Sequence, residues 1–137
     1  MPLVRLYLLM LGGGLLLEGS LLLGLDALRL AVPFSTGDPR HNALHVAWGG
    51  LILAVVLIDR GGRSLGWLAI VFGAFYTGLA IIGVLIDQPF GLLLGPGENA
   101  FHFVVGPLAL VLGIRAVVKQ SRRPLLAGPA APRHSRR

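Results

Sequence analysis

Chemistry in this sequence falls to a handful of side chains. Asn42 and His45 recur as Asn99 and His102, each pair inside a matching stretch, Pro39 to Gly49 and Pro96 to Gly106. Proline, asparagine, alanine, histidine and glycine repeat there at one constant spacing of 57 residues. Two imidazoles that face each other across a gap can ligate a haem iron or a divalent metal. Gly49 and Gly106 lie four residues further on, on the same helical face, and leave space beside each ring. Arg29, Arg40 and His41 are the groups available to haem propionates. A plain structural reading covers the same residues. Asn42 and Asn99 serve as helix N-caps, and His45 and His102 sit at the third helical position, where a side chain reaches back to the cap.

Glu18 is the costliest residue, because a carboxylate inside a membrane span must be paired, protonated or open to water. At 1.5 Å per residue it lies about 10 Å below the end of its span, and the two histidines about 5 Å below theirs. A Glu18–His hydrogen bond is within reach if the first helix faces the second or fourth. Gly14, Gly19 and Gly24 match Gly73, Gly78 and Gly83 at a spacing of 59, which sets Glu18 opposite Thr77, next to Tyr76. One reading is a proton- or ion-handling polar cluster of Glu18, Tyr76, Thr77, His45 and His102. The other is a single protonated acid holding helices together.

These residues must be positioned by membrane helices. Of 137 residues, 55% are hydrophobic and 13% charged, with a mean hydropathy of +0.79. That excludes an ordinary water-soluble domain and a disordered chain. The absence of cysteine excludes disulfide scaffolds, thiol catalysis and thiolate metal sites. Apolar runs predict four transmembrane helices at about 3–25, 42–59, 65–87 and 99–118, since crossing the ~30 Å hydrocarbon layer takes about 20 residues. Strand alternation is absent, so a barrel is not expected. The first run is too long for a signal peptide and lacks a small-residue cleavage site. Pro107 removes one helical hydrogen bond, and a bend is expected there. Residues 119–137 read as a basic, disordered tail.

Arg60 and Arg63 mark one inner turn and the tail carries most of the remaining positive charge, while 88–98 holds no lysine or arginine. The positive-inside rule puts both termini in the cytoplasm. The fold class is therefore all-α and integral to the membrane: two tandem helical hairpins related by a pseudo-twofold along the membrane normal. Tail charge without aromatics argues against nucleic acid and for topology or weak attraction to anionic lipid. Tyr7, Trp48 and Trp67 read as interfacial belt residues. Asp59 and Arg60 cap a tight turn, Asp87 ends the third span, and His134 has no visible role. No phosphate-binding loop, nucleophile elbow, H-E-x-x-H or dinucleotide fingerprint is present.

The doubled N-x-x-H, carried by Asn42, His45, Asn99 and His102, resembles small uncharacterised bacterial four-span membrane families, similar in layout to DoxX-like proteins. The resemblance covers about 3–118 and implies a bacterial inner-membrane protein without assigning a reaction. The leading expectation is a non-catalytic multi-pass protein, an accessory or stabilising subunit of a membrane complex, with lipid and other subunits or its own copies as partners. The alternatives are a haem- or metal-binding protein using His45 and His102, and a proton-coupled small carrier built on Glu18.

Overall fold

The computed structural model describes residues 2–30, 32–33, 35–86 and 88–126. Those residues form four long helices: α1 (Pro2–Ala27), α2 (Pro39–Ile58), α3 (Leu65–Leu85) and α4 (Pro96–Leu126). One 3-10 turn, Pro89–Gly91, lies between α3 and α4. Each long helix is long and apolar enough to cross a membrane. No strand occurs among the described residues.

Two helix starts differ from the sequence reading. α2 begins at Pro39 rather than Asn42, because Asp38 is its cap: the Asp38 carboxylate accepts from the Arg40 amide at 2.9 Å. Proline at the first helical position has no amide to leave orphaned, so it fits directly behind that cap. α4 likewise begins at Pro96 rather than Asn99, with the Glu98 carboxylate accepting from the Gly95 amide at 3.0 Å. Pro39 and Pro96 therefore open their helices instead of preceding them. α4 also runs unbroken through Pro107 to Leu126, so the first part of the expected tail, 119–126, is helical. Residues 127–137, including His134, and Asp87 lie outside the described residues.

Burial follows one spacing throughout. The buried positions of α1 include Val4, Leu8, Leu11 and Leu15, with Gly12 and Gly19 beside them, and those of α3 include Leu65, Ala69, Phe72 and Tyr76, with Gly66 and Gly73 beside them. On α2 they include His45, Gly49, Ile52 and Val56, preceded by His41 and Asn42; on α4 they are His102, Gly106, Ala109 and Gly113. Steps of four, three and four residues keep one narrow stripe of each helix turned inward, as in left-handed bundle packing. Apolar side chains facing lipid gain nothing from leaving it, so close packing has to hold the helices together.

Glycine permits that closeness at two crossings. A Cβ on Gly49 would stand 2.5 Å from the Leu16 amide nitrogen, and one on Gly106 would stand 2.6 Å from that of Thr77. α1 thus packs along α2, and α3 along α4. The two crossings set Leu16 against Thr77 and Leu15 against Tyr76, a register two residues away from the one the glycine triplets suggest. The triplets mislead because their members have different surroundings: Gly14 and Gly24 meet open space where Gly73 and Gly83 are tightly covered, and Gly19 is covered where Gly78 is open. Glu18 is accordingly not the counterpart of Thr77.

Two of the expected belt residues are half-buried and pack against the core. The Tyr7 hydroxyl donates to the Val105 carbonyl at 2.8 Å, tying α1 to α4. Trp48 packs edge-on to Phe72, with ring centroids 5.3 Å apart. Trp67 is exposed. At the α2–α3 turn, Asp59 accepts from the Gly62 amide and from the Ser64 amide and hydroxyl. The Ser64 hydroxyl, with these amides, holds the Asp59 carboxyl down to about 2. Arg5 closes the same end by donating to the Val56 carbonyl at 2.7 Å, which satisfies an orphan acceptor in the last turn of α2.

Candidate metal centre

Three histidines converge where α2 and α4 begin. His41 and His45 stand one turn apart on α2, and His102 reaches them from α4. One ring nitrogen from each lies within 4.8 Å of the other two. His41 Nε2 and His102 Nε2 are 3.4 Å apart. All three rings are buried, at 2%, 3% and 0% exposure. Ring centroids are 4.5 Å apart for His41–His45, 5.4 Å for His41–His102 and 6.2 Å for His45–His102.

The cluster is short of hydrogen bonds. Both ring nitrogens of His45, His102 Nδ1, the Tyr76 hydroxyl and Asn42 Nδ2 are buried without a hydrogen-bond partner. Buried polar atoms are normally satisfied, and a group of orphans in one place signals a missing ligand or water. Glu18 stands next to this cluster. Its Oε2 lies 3.2 Å from His45 Nδ1, without the alignment of a hydrogen bond. Tyr76 packs against two of the rings, 4.9 Å from His102 and 6.2 Å from His45. Thr77 lies apart, against Gly106 at the α3–α4 crossing, and its hydroxyl has no partner among the described residues. Glu18, Tyr76, His45 and His102 are thus brought together, and Thr77 is not shown to join them.

Asn42 and Asn99 are not caps. Both lie inside their helices, their amides donating to the carbonyls of Asp38 and Gly95. Asn99 instead donates its side-chain amide to the Gly83 carbonyl at 3.2 Å. The third helical positions belong to His41 and Glu98, one turn before His45 and His102. His41 escaped the sequence reading as a ligand because the start of α2 was placed after it. Asp38-Pro39 is a start signal, and moving the helix back to it puts His41 and His45 on one face.

The two loops close over this end of the bundle. The Thr36 amide donates to Glu98 Oε1 at 2.7 Å, and the Thr36 hydroxyl to the Leu93 carbonyl at 3.0 Å. The Leu93 amide donates to the second oxygen of Asp38 at 2.8 Å. A cavity of about 200 Å³ is lined by Glu18, His41, Asn42, His45 and Glu98, among others.

The geometry separates two kinds of ligand. Two nitrogens ~2.0–2.1 Å from one tetrahedral ion stand about 3.3–3.4 Å apart. The His41–His102 separation matches that, and is also the length of a long N–H···N hydrogen bond. Haem does not fit. A macrocycle between His45 and His102 would need the space around their midpoint, and His41 and Tyr76 pack against that position. Arg29 and Arg40 do not enter the cluster; Arg29 lines a separate cavity and Arg40 lies near Gly91.

No family model matches this chain, and neither curated proteins nor solved structures give a match.

Proposed function

We propose that this protein is a small multi-pass membrane protein that holds one first-row divalent transition-metal ion on His41, His45 and His102. The observation carrying this reading is the set of three buried imidazoles with ring nitrogens within 4.8 Å of one another, one pair of them at tetrahedral spacing, and with both nitrogens of His45 and Nδ1 of His102 left unpaired. Imidazole suits zinc, copper, iron and nickel, and a site without thiolate favours none of the soft-ligand alternatives.

Glu18 has a definite part in it. Histidines that bind metals commonly give their second nitrogen to a carboxylate, which fixes the tautomer and the ring orientation. With His45 Nδ1 turned to Glu18, Nε2 is left for the metal. Three imidazoles fill three of the four positions of a tetrahedral ion and leave the fourth to another group.

The wider setting is part of the same proposal. The two helical pairs are tandem hairpins about a pseudo-twofold along the membrane normal, with both termini cytoplasmic. The metal then sits towards the outer face of a bacterial inner membrane. Apolar side chains around the bundle meet lipid, further copies, or a complex in which this chain is the metal-holding subunit.

The test is calorimetric titration of the purified, chelator-stripped protein in lipid nanodiscs with zinc. One site per chain, abolished in His102→Ala and His45→Ala, is expected. Absence of saturable binding by the wild type would overturn the reading.

A further inference from the structure

The matching stretches carry four chelating positions, not three. His41 and His45 are one turn apart on α2; Glu98 and His102 are one turn apart on α4. Side chains four residues apart on a helix are neighbours, so each helix offers a two-toothed grip on one ion. Glu98 stands in the second stretch where His41 stands in the first. It also lines the same cavity as His41 and His45.

We propose that Glu98 is the fourth ligand of the metal, a role that rests on the three-histidine reading above, and that its recruitment releases the loop preceding α2. Both Glu98 oxygens accept backbone amides, Oε1 from Thr36 and Oε2 from Gly95. The carboxylate therefore holds the loop at Thr36 beside the cavity. Rotating towards the ion exchanges the Thr36 bond for a metal–oxygen bond.

Charge gives the exchange its direction. Three uncharged imidazoles leave a divalent ion with its whole charge in a low-dielectric bundle, which is costly. Glu98 as ligand and Glu18 behind His45 together supply two negative charges and make the centre neutral. The unpaired Asn42 side-chain amide, 98% buried on the same cavity wall, stands ready for a ligand oxygen or a water. Loss of the Thr36–Glu98 bond leaves the loop attached through Thr36 to Leu93 and through Asp38 to Leu93. The loop loosens at Thr36 rather than falling away, and occupancy of the metal is reported at the membrane surface.

Cobalt(II) titration of the whole protein in nanodiscs, followed by visible absorption, reads the ligand set. Amide exchange of the peptide carrying Thr36, with and without zinc, reads the loop. The proposal expects faster exchange at Thr36 on zinc loading in the wild type. It also expects at least an about tenfold loss of cobalt affinity in Glu98→Gln, with a changed band shape. If the wild type binds cobalt, Glu98→Gln binds it with the same affinity and spectrum, and Thr36 exchange ignores zinc, Glu98 is not a ligand and only this proposal falls. If the wild type binds neither ion, the three-histidine reading falls and takes this one with it. The exchange measurement uses the wild type alone, so a Glu98→Gln variant that fails to fold leaves the test intact.

Discussion

His41 and His102 point their Nε2 atoms at each other across 3.4 Å, from two helices that otherwise pack mainly on other partners. α2 lies along α1 and α4 along α3, so this contact between the starts of α2 and α4 joins the two helical pairs. The other ring nitrogens nearby, both of His45 and Nδ1 of His102, are buried without a partner, which a purely structural cluster would not be expected to leave.

The first prediction concerns His102. Replacing it with leucine removes a buried group whose Nδ1 has no partner. The chelated, ion-free protein should therefore lose little stability or gain some. Wild type at 100 times its zinc Kd should gain about 2.7 kcal/mol from the ion, and His102→Leu should gain none. Thermal unfolding in nanodiscs with and without zinc measures both. A purely structural histidine gives the opposite pattern, a large loss without zinc and no zinc effect in either protein.

Glu18→Gln tests the carboxylate behind His45. Glutamine keeps an oxygen near Nδ1 but not the charge. Zinc affinity should fall by about 10–100-fold with the stoichiometry unchanged. Ion-free stability should change little, because the present contact is off-axis and Glu18 is half-exposed.

Helix crossing is tested at Gly106. A valine there drives its side chain into the Thr77 backbone, and should cost about 1–3 kcal/mol on the scale of overpacking. Gly78→Val, on the open side of α3, is the control and should fall within roughly ±0.5 kcal/mol. Equilibrium unfolding in mixed micelles compares the two.

Asp59 sets an acid limit on the α2–α3 turn. Its carboxyl is held down to about 2, chiefly by the Ser64 hydroxyl. A carboxyl lowered on folding stabilises the turn above its ordinary value near 3.9 and loses that contribution as pH falls through the folded value. The Gly62 and Ser64 amide resonances should shift with a midpoint near 2, and Ser64→Ala should move the midpoint upward. A midpoint near 4 in the wild type would show that the turn does not hold the carboxylate.

Four apolar helices were legible in the sequence because length and hydropathy alone set them, as in Leu65–Leu85. The helix starts were harder. Asparagine is so good a cap that Asn42 and Asn99 outweighed Asp38-Pro39 and Gly95-Pro96, which do the work. That four-residue error turned His41 and Glu98 into loop residues and hid the α2 pair of histidines. The histidine match between the two stretches was visible, but the third histidine breaks it: His41 corresponds to Glu98. Tyr7 and Trp48 misled for a different reason. Aromatic residues near span ends fit a belt by type, and only the structure shows Tyr7 and Trp48 half-buried against the core. The glycine triplets failed because composition supplies glycine freely here, whereas the buried stripes of Leu15 and Tyr76 record the true register.

X-ray absorption at the zinc edge, on protein loaded with one equivalent in nanodiscs, addresses the ligand set itself. Three imidazole nitrogens at about 2.0–2.1 Å are expected, with at least one imidazole lost in His41→Ala. A shell of oxygen scatterers alone, unchanged by His41→Ala, would contradict a three-histidine centre.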